Sequence, residues 1–133
     1  MAPAIARSVL ADIQALADGQ ATEICGLLLG GQGRVDTFLA SANVAADPAR
    51  RFEIDPAVLI AAHRAARHGG PAIVGCYHSH PSGRAVPSAA DAAQAAPEGM
   101  LWLIVGSGQA RLWRAGPGDG GATVFHEEPI VVA

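Results

Sequence analysis

The segment Ala72 to His78, closed off by Gly69-Gly70-Pro71 on one side and Pro81 on the other, restricts this chain more than any other. It is short, apolar and bounded by helix breakers, so it reads as a buried strand, and a buried strand needs other elements to cover it. The rest of the chain supplies them. Ile5, Val9, Leu10, Ile13 and Leu16 recur at helical spacing before Gly19, which predicts a first amphipathic helix. After Glu23 comes an apolar run, Ile24 to Leu29, then a glycine-rich turn, then Val35 to Ala40 with partial alternation; this predicts a hairpin. Arg51 to Ile54 reads as a short strand, and Asp55-Pro56 sets an N-cap before proline at the first position of a second helix running to about His68.

Beyond the buried strand, Ser88-Ala89-Ala90-Asp91 opens a short Ala-rich helix that Pro97 must end. Leu101 to Val105 and Ala110 to Arg114 flank a Gly-Ser-Gly-Gln turn, and Thr123 to Val132 reads as one last strand. Helices interleaved with strands in this order predict an α/β (α+β) sandwich, with helices flanking one mixed β-sheet. At 133 residues the length suits one domain spanning 1–133.

Side chains alternate across a strand, so His78 and His80 project to the same side if the strand continues through them. Pro81 cannot join a sheet ladder, which puts the pair at the strand's mouth, where two imidazoles could chelate one ion and leave a coordination position open. Alone, a His-x-His pair is a weak signal. Asp91, eleven residues after His80 and in the first turn of the predicted helix, adds a carboxylate that the intervening loop can fold back onto the histidines. Ser88, three residues earlier, shares its face. Ser-x-x-Asp is also the pattern of a helix capping box. The two roles are compatible, because a capped helix start holds acid and hydroxyl rigidly.

His78-Ser79-His80-Pro81 and Ser88-x-x-Asp91, with seven residues between His80 and Ser88, together resemble the signature of the JAMM (MPN-plus) zinc metalloproteases. Glu23-Ile24-Cys25-Gly26-Leu27-Leu28-Leu29-Gly30 is similar to the upstream glutamate segment of small prokaryotic members, as is Arg51-Phe52-Glu53-Ile54-Asp55-Pro56, and the likeness runs from about Thr22 to Val105. The resemblance implies an MPN-like fold and one Zn2+ per chain held by His78, His80 and Asp91. It also implies that Glu23 is the general acid/base for the attacking water and that Ser88 hydrogen-bonds the developing oxyanion. On sequence position alone, Glu23 is equally an exposed acid at a strand start.

The same resemblance implies a substrate. The stretch between Glu23 and His78 is compact, which matches small members that act on the C-terminal Gly-Gly tail of a ubiquitin-like or sulfur-carrier protein; relatives without metal ligands act as non-catalytic scaffolds or binding modules. Other zinc hydrolases are disfavoured, since His-x-Glu with Pro-Cys-x-x-Cys, and His-Glu-x-x-His, are both absent.

Composition narrows the remaining classes. A net charge of -3, with nine dispersed arginines as the only lysine or arginine residues, disfavours nucleic acid as a partner and excludes lysine-based covalent catalysis. Cys25 and Cys76 each sit inside an apolar run, which predicts buried free thiols and a reducing, cytoplasmic setting. No apolar stretch reads as a signal peptide or a membrane span. His63 and His68 lie beside Arg64 and Arg67 and His126 beside Glu127-Glu128, all read as solvated; Trp102 and Trp113 are read as core or sheet surface.

Overall fold

The computed structural model describes residues 2–133. The chain runs β1 (Ala4–Ile5), α1 (Arg7–Ala17), β2 (Cys25–Gly31), β3 (Arg34–Ser41), α2 (Pro56–Arg67), β4 (Ala72–His80), α3 (Ala89–Gln94), β5 (Leu101–Gly106), β6 (Gln109–Pro117), β7 (Thr123–Glu128) and β8 (Val131–Val132). The strands form one mixed sheet in the order β7-β6-β5-β4-β2-β3-β1-β8. As the apolar run requires, β4 lies in the interior of this sheet, antiparallel to β2 and parallel to β5.

The two halves of the predicted last strand lie at opposite edges of the sheet. β7 pairs with β6, whereas β8 pairs in parallel with β1. From Glu128 to Val131 is three Cα steps, which cannot span more than roughly 11 Å. The sheet must therefore curl until its edges approach each other. Pro129 explains why one segment became two, since it has no N–H to continue a ladder.

Each face of the curled sheet has its own core. Val9 and Ile13 of α1 pack with Leu28, Tyr77, Leu103 and Leu112, while Ala62 of α2 packs with Leu27, Phe52 and Trp102. A register shift opposite Leu28/Leu29, between Ile73 and Gly75 of β4, changes which side chains face which core. Val74 lies with Tyr77 on the α1 side, and Cys76 joins Ile73 on the α2 side. That irregularity sets the phase in which His78 arrives beside Phe52 and Trp102.

Other expectations shift modestly. Ile5 belongs to β1 instead of the first helix, and Leu16 is 44% exposed. The segment Arg51 to Ile54 makes one isolated bridge, Ile54 to Asn43, and no ladder; its alternation reflects the burial of Phe52 and Ile54 alone. Asp55 caps α2 as expected, accepting the Ala57 N–H at 2.9 Å. Among the described residues, no helix is long and apolar enough to cross a membrane.

Candidate metal centre

β4 ends at His80, immediately before Pro81, and both histidines emerge from its last turn of the pleat. Ser88 caps α3 in a reciprocal box: its Oγ accepts the Asp91 N–H at 3.1 Å, and Asp91 Oδ2 accepts the Ser88 N–H at 3.0 Å. The predicted cap therefore exists and also aims the acid. Asp91 Oδ2 stands 3.0 Å from His78 Nε2 and 3.1 Å from His80 Nε2, and the two nitrogens are 3.1 Å apart. Three atoms from residues predicted as ligands thus form a nearly equilateral triangle.

The imidazoles are held by different means. His80 donates Nδ1–H to the Arg84 carbonyl at 2.7 Å, which leaves Nε2 as a lone pair directed at the triangle. His78 is fully buried, its Nδ1 has no partner, and its ring stacks on Phe52 with centroids 4.3 Å apart and meets Trp102 edge-on at 5.6 Å. Burial lowers the His78 pKa and favours the neutral ring. Burial would raise the Asp91 carboxyl, but hydrogen bonds from the histidines and the Ser88 N–H outweigh it and hold the acid well below the usual carboxylate range.

Glu23 reaches this cluster through Ser79, the residue between the histidines. The Ile24 N–H donates to Ser79 Oγ at 2.9 Å, and the Ser79 N–H donates to the Ile24 carbonyl at 3.1 Å. These bonds extend the β2–β4 pairing one step beyond Cys25 and His78. From the other side Asn43 donates to the Glu23 carbonyl at 2.9 Å, and the Glu23 N–H donates to Pro48 O at 2.8 Å. Glu23 is 4% exposed and its Oε1 is buried without a partner, so it is no surface acid. Desolvation pushes its pKa up to about 7, with His80 acting in the opposite direction.

Two overlapping sets could hold a cation. A Glu23 oxygen and the two imidazole nitrogens lie within 4.8 Å of one another, while Asp91 is in direct contact with both nitrogens. Ligand atoms placed tetrahedrally about 2.0–2.1 Å from one zinc stand about 3.3 Å apart. The Asp91 triangle meets that requirement closely, so Asp91 fits as the third ligand and Glu23 as a neighbour. The donor chemistry agrees. In the metal-free protein, protons on the imidazoles make these short contacts to the ionised Asp91 oxygen favourable. With both Nε2 atoms deprotonated, three electron-rich atoms converge on one point, and a cation there would take the protons' place.

Residues 6–116 match the family of prokaryotic homologs of the JAB domain. The chain belongs to that family. Among JAB-domain relatives, it is 38% identical to a desampylase of Haloferax volcanii over 84 residues, which cover 62% of this chain and 60% of that protein. It is 29% identical to a desampylase of Pyrococcus furiosus over 110 residues, 82% of this chain and 78% of the relative. Thus the match to the Haloferax protein spans less than two thirds of its length. The solved structure described as JAMM, a metalloprotease-like zinc site in the proteasome and signalosome, superposes with a TM-score of 0.58 at 18% identity, covering 100% of this chain and 99% of that one. The expected JAMM/MPN fold is therefore present.

The remaining candidates of this JAB-domain chain lie elsewhere. Cys25 and Cys76 are free thiols; burial pushes Cys25 up to about 11 and Cys76 still higher. His63, His68 and His126 are exposed. Trp102 and Trp113 pack on the α2-side core as expected. Sequence reasoning gave no separate role to Ser79, Phe52, Asn43 or the Arg84 carbonyl. The place of Ser79 between two metal-spaced histidines and that of Phe52 in the Arg51–Pro56 segment were the available signals, whereas Asn43 and the Arg84 carbonyl act through hydrogen bonds to backbone or ring atoms distant in sequence or outside the motif.

Proposed function

We propose that this protein is a zinc-dependent peptidase or isopeptidase, with one Zn2+ per chain held by His78, His80 and Asp91. The observation that carries the reading is the 3.0–3.1 Å triangle of ligand atoms with an unpartnered, buried Glu23 carboxylate beside it. Zinc bound there would supply the Lewis acidity that makes a water nucleophilic near neutral pH. Glu23, poised near neutrality by burial, takes the proton of the attacking water and delivers it to the departing amine. Ser88 uses its Oγ lone pair on the Asp91 N–H, which leaves its O–H free to donate to the oxyanion.

A pocket of about 270 Å³ lined by Glu23, Arg50, His80, Ser82, Gly83 and Ser88 opens beside the cluster and gives a substrate chain access to it. We assign as substrate the C-terminal Gly-Gly tail of a ubiquitin-like or sulfur-carrier protein. Glycine lets a backbone approach a confined site closely, and the desampylase relatives support a substrate of this kind. The free thiols fit a cytoplasmic location. The test measures zinc content and cleavage of the host's own carrier proteins ending in Gly-Gly. Wild type is expected to hold about one zinc and cleave; His78→Ala with His80→Ala should lose both. Unchanged zinc in the double variant would refute the ligand assignment, and stoichiometric zinc without turnover of any carrier would favour a binding module.

A further inference from the structure

The imidazole of His80 is oriented by a backbone carbonyl, Arg84 O, that belongs to no regular element. Residues 81 to 88 are turn and bend, and Arg84 itself is exposed. Left to itself such a loop would not hold a carbonyl still. Yet the residues on both sides of Arg84 are tied to the β5–β6 hairpin. Ser107 Oγ donates to the Gly83 carbonyl at 3.0 Å, and Trp113 Nε1–H donates to the Ala85 carbonyl at 3.1 Å.

The hairpin is also shaped to let the loop lie against it. Gly106 is the ladder partner of His80 on the adjacent strand. A Cβ at Gly106 would sit 2.6 Å from Gly83 O and 2.8 Å from the Arg84 carbonyl carbon, so any side chain there would push the loop away. In the turn, Ser107 and Gly108 both have positive φ, +51° and +73°, as a two-residue hairpin turn requires. Ser107 is the one non-glycine residue with positive φ among the described residues. Glycine or asparagine would suit that backbone better, but glycine has no hydroxyl to reach Gly83.

We propose that Gly106, Ser107 and Trp113 act as a positioning clamp for His80, fixing the Arg84 carbonyl that orients its imidazole toward the metal. The proposal rests on the reading of His80 as a ligand. Its physical basis is that a ligating imidazole is directed by the hydrogen bond on its other nitrogen. The three residues lie outside the ligand set and act through His80.

The test compares wild type with Trp113→Phe, Ser107→Gly, their combination, and Gly106→Ala. Zinc affinity is measured by chelator competition, and the side-chain 15N shifts of His78 and His80 are read in metal-free protein. Trp113→Phe keeps an aromatic ring in place, and Ser107→Gly relieves the positive φ, so the latter cannot weaken metal binding by unfolding the chain. The combined variant should lose about tenfold in zinc affinity, the low end for partners outside the ligand set. His80 should pass from a single Nδ1–H tautomer to a mixture while the His78 shifts hold. Unchanged affinity with an unchanged His80 tautomer would overturn the clamp, as would both imidazoles shifting together, which is general loosening. Wild-type protein that binds no zinc, or whose zinc is indifferent to His80→Ala, would instead sink the ligand reading itself.

Discussion

Glu23→Gln separates the chemistry of the site from its architecture, and it does so in two independent assays. The first is turnover. Gln has the size and shape of Glu and can still hydrogen-bond a water, but it cannot accept a proton. Zinc content should stay at the wild-type level, and kcat on a Gly-Gly carrier should fall by roughly two to four powers of ten, the usual worth of a positioned proton transfer. The second is the stability of the metal-free protein. Burial raises the Glu23 pKa from its ordinary 4.5 to about 7, so between those values the folded state binds a proton that the unfolded state has released. Wild-type stability therefore falls as pH rises through that window, by an amount on the order of 3 kcal/mol at about 1.4 kcal/mol per pH unit. Gln does not titrate. The gap between variant and wild type, measured by urea unfolding at a series of pH values, should open in favour of Glu23→Gln from pH 4.5 to 7 and stay constant above. A zinc-loaded Glu23→Gln protein with near-normal kcat would place the base elsewhere, and a gap independent of pH would show that the buried carboxyl is not destabilised when ionised.

Asp91→Ala should release zinc, whereas Ser88→Ala should keep it, slow turnover by about 10²–10³ as for a lost oxyanion donor, and cost about 1 kcal/mol of stability for the missing cap; equal zinc loss in both variants would undo this division. Phe52 is 3% exposed and stacked on His78, so Phe52→Ala should cost about 3–5 kcal/mol by denaturant unfolding and weaken zinc binding, while a variant with full zinc affinity would show that stacking does not hold His78. With its pKa pushed up to about 11, the buried Cys25 should react slowly with iodoacetamide at pH 8 and rapidly in denaturant; fast labelling of Cys25 in the native chain would contradict its burial.

The features legible in the sequence are those whose physics is local. Asp55-Pro56 announced the start of α2, the glycines after Leu29 announced the β2–β3 turn, and Pro81 announced where β4 would stop. His78, His80 and Asp91 were legible because strand alternation and a capped helix start each fix a direction over a few residues. Long-range consequences of the same residues were not. The run Thr123 to Val132 looks uniform by propensity, and only the curl of the whole sheet sends its two halves to opposite edges. Arg51 to Ile54 alternates like a strand because Phe52 and Ile54 are buried, yet its pairing stops at the single bridge to Asn43 and builds no ladder.

Glu23 shows where local reading ends and what replaces it. The 54 residues between it and His78 contain a hairpin and a helix, and no spacing rule converts that interval into a distance. The structure does so through Ser79. A strand that carries two histidines facing one way must turn the residue between them to its other face, and on that face the Ser79 hydroxyl captures the Ile24 N–H. One step along the chain from Ile24 is Glu23. The alternation that pairs the histidines therefore also anchors the segment carrying the acid, and a β2–β4 register displaced by one residue would carry Ile24 away from Ser79 and the carboxyl away from the imidazoles. On this reading the serine of His-Ser-His links the two halves of the site, although from sequence alone it looks like a spacer.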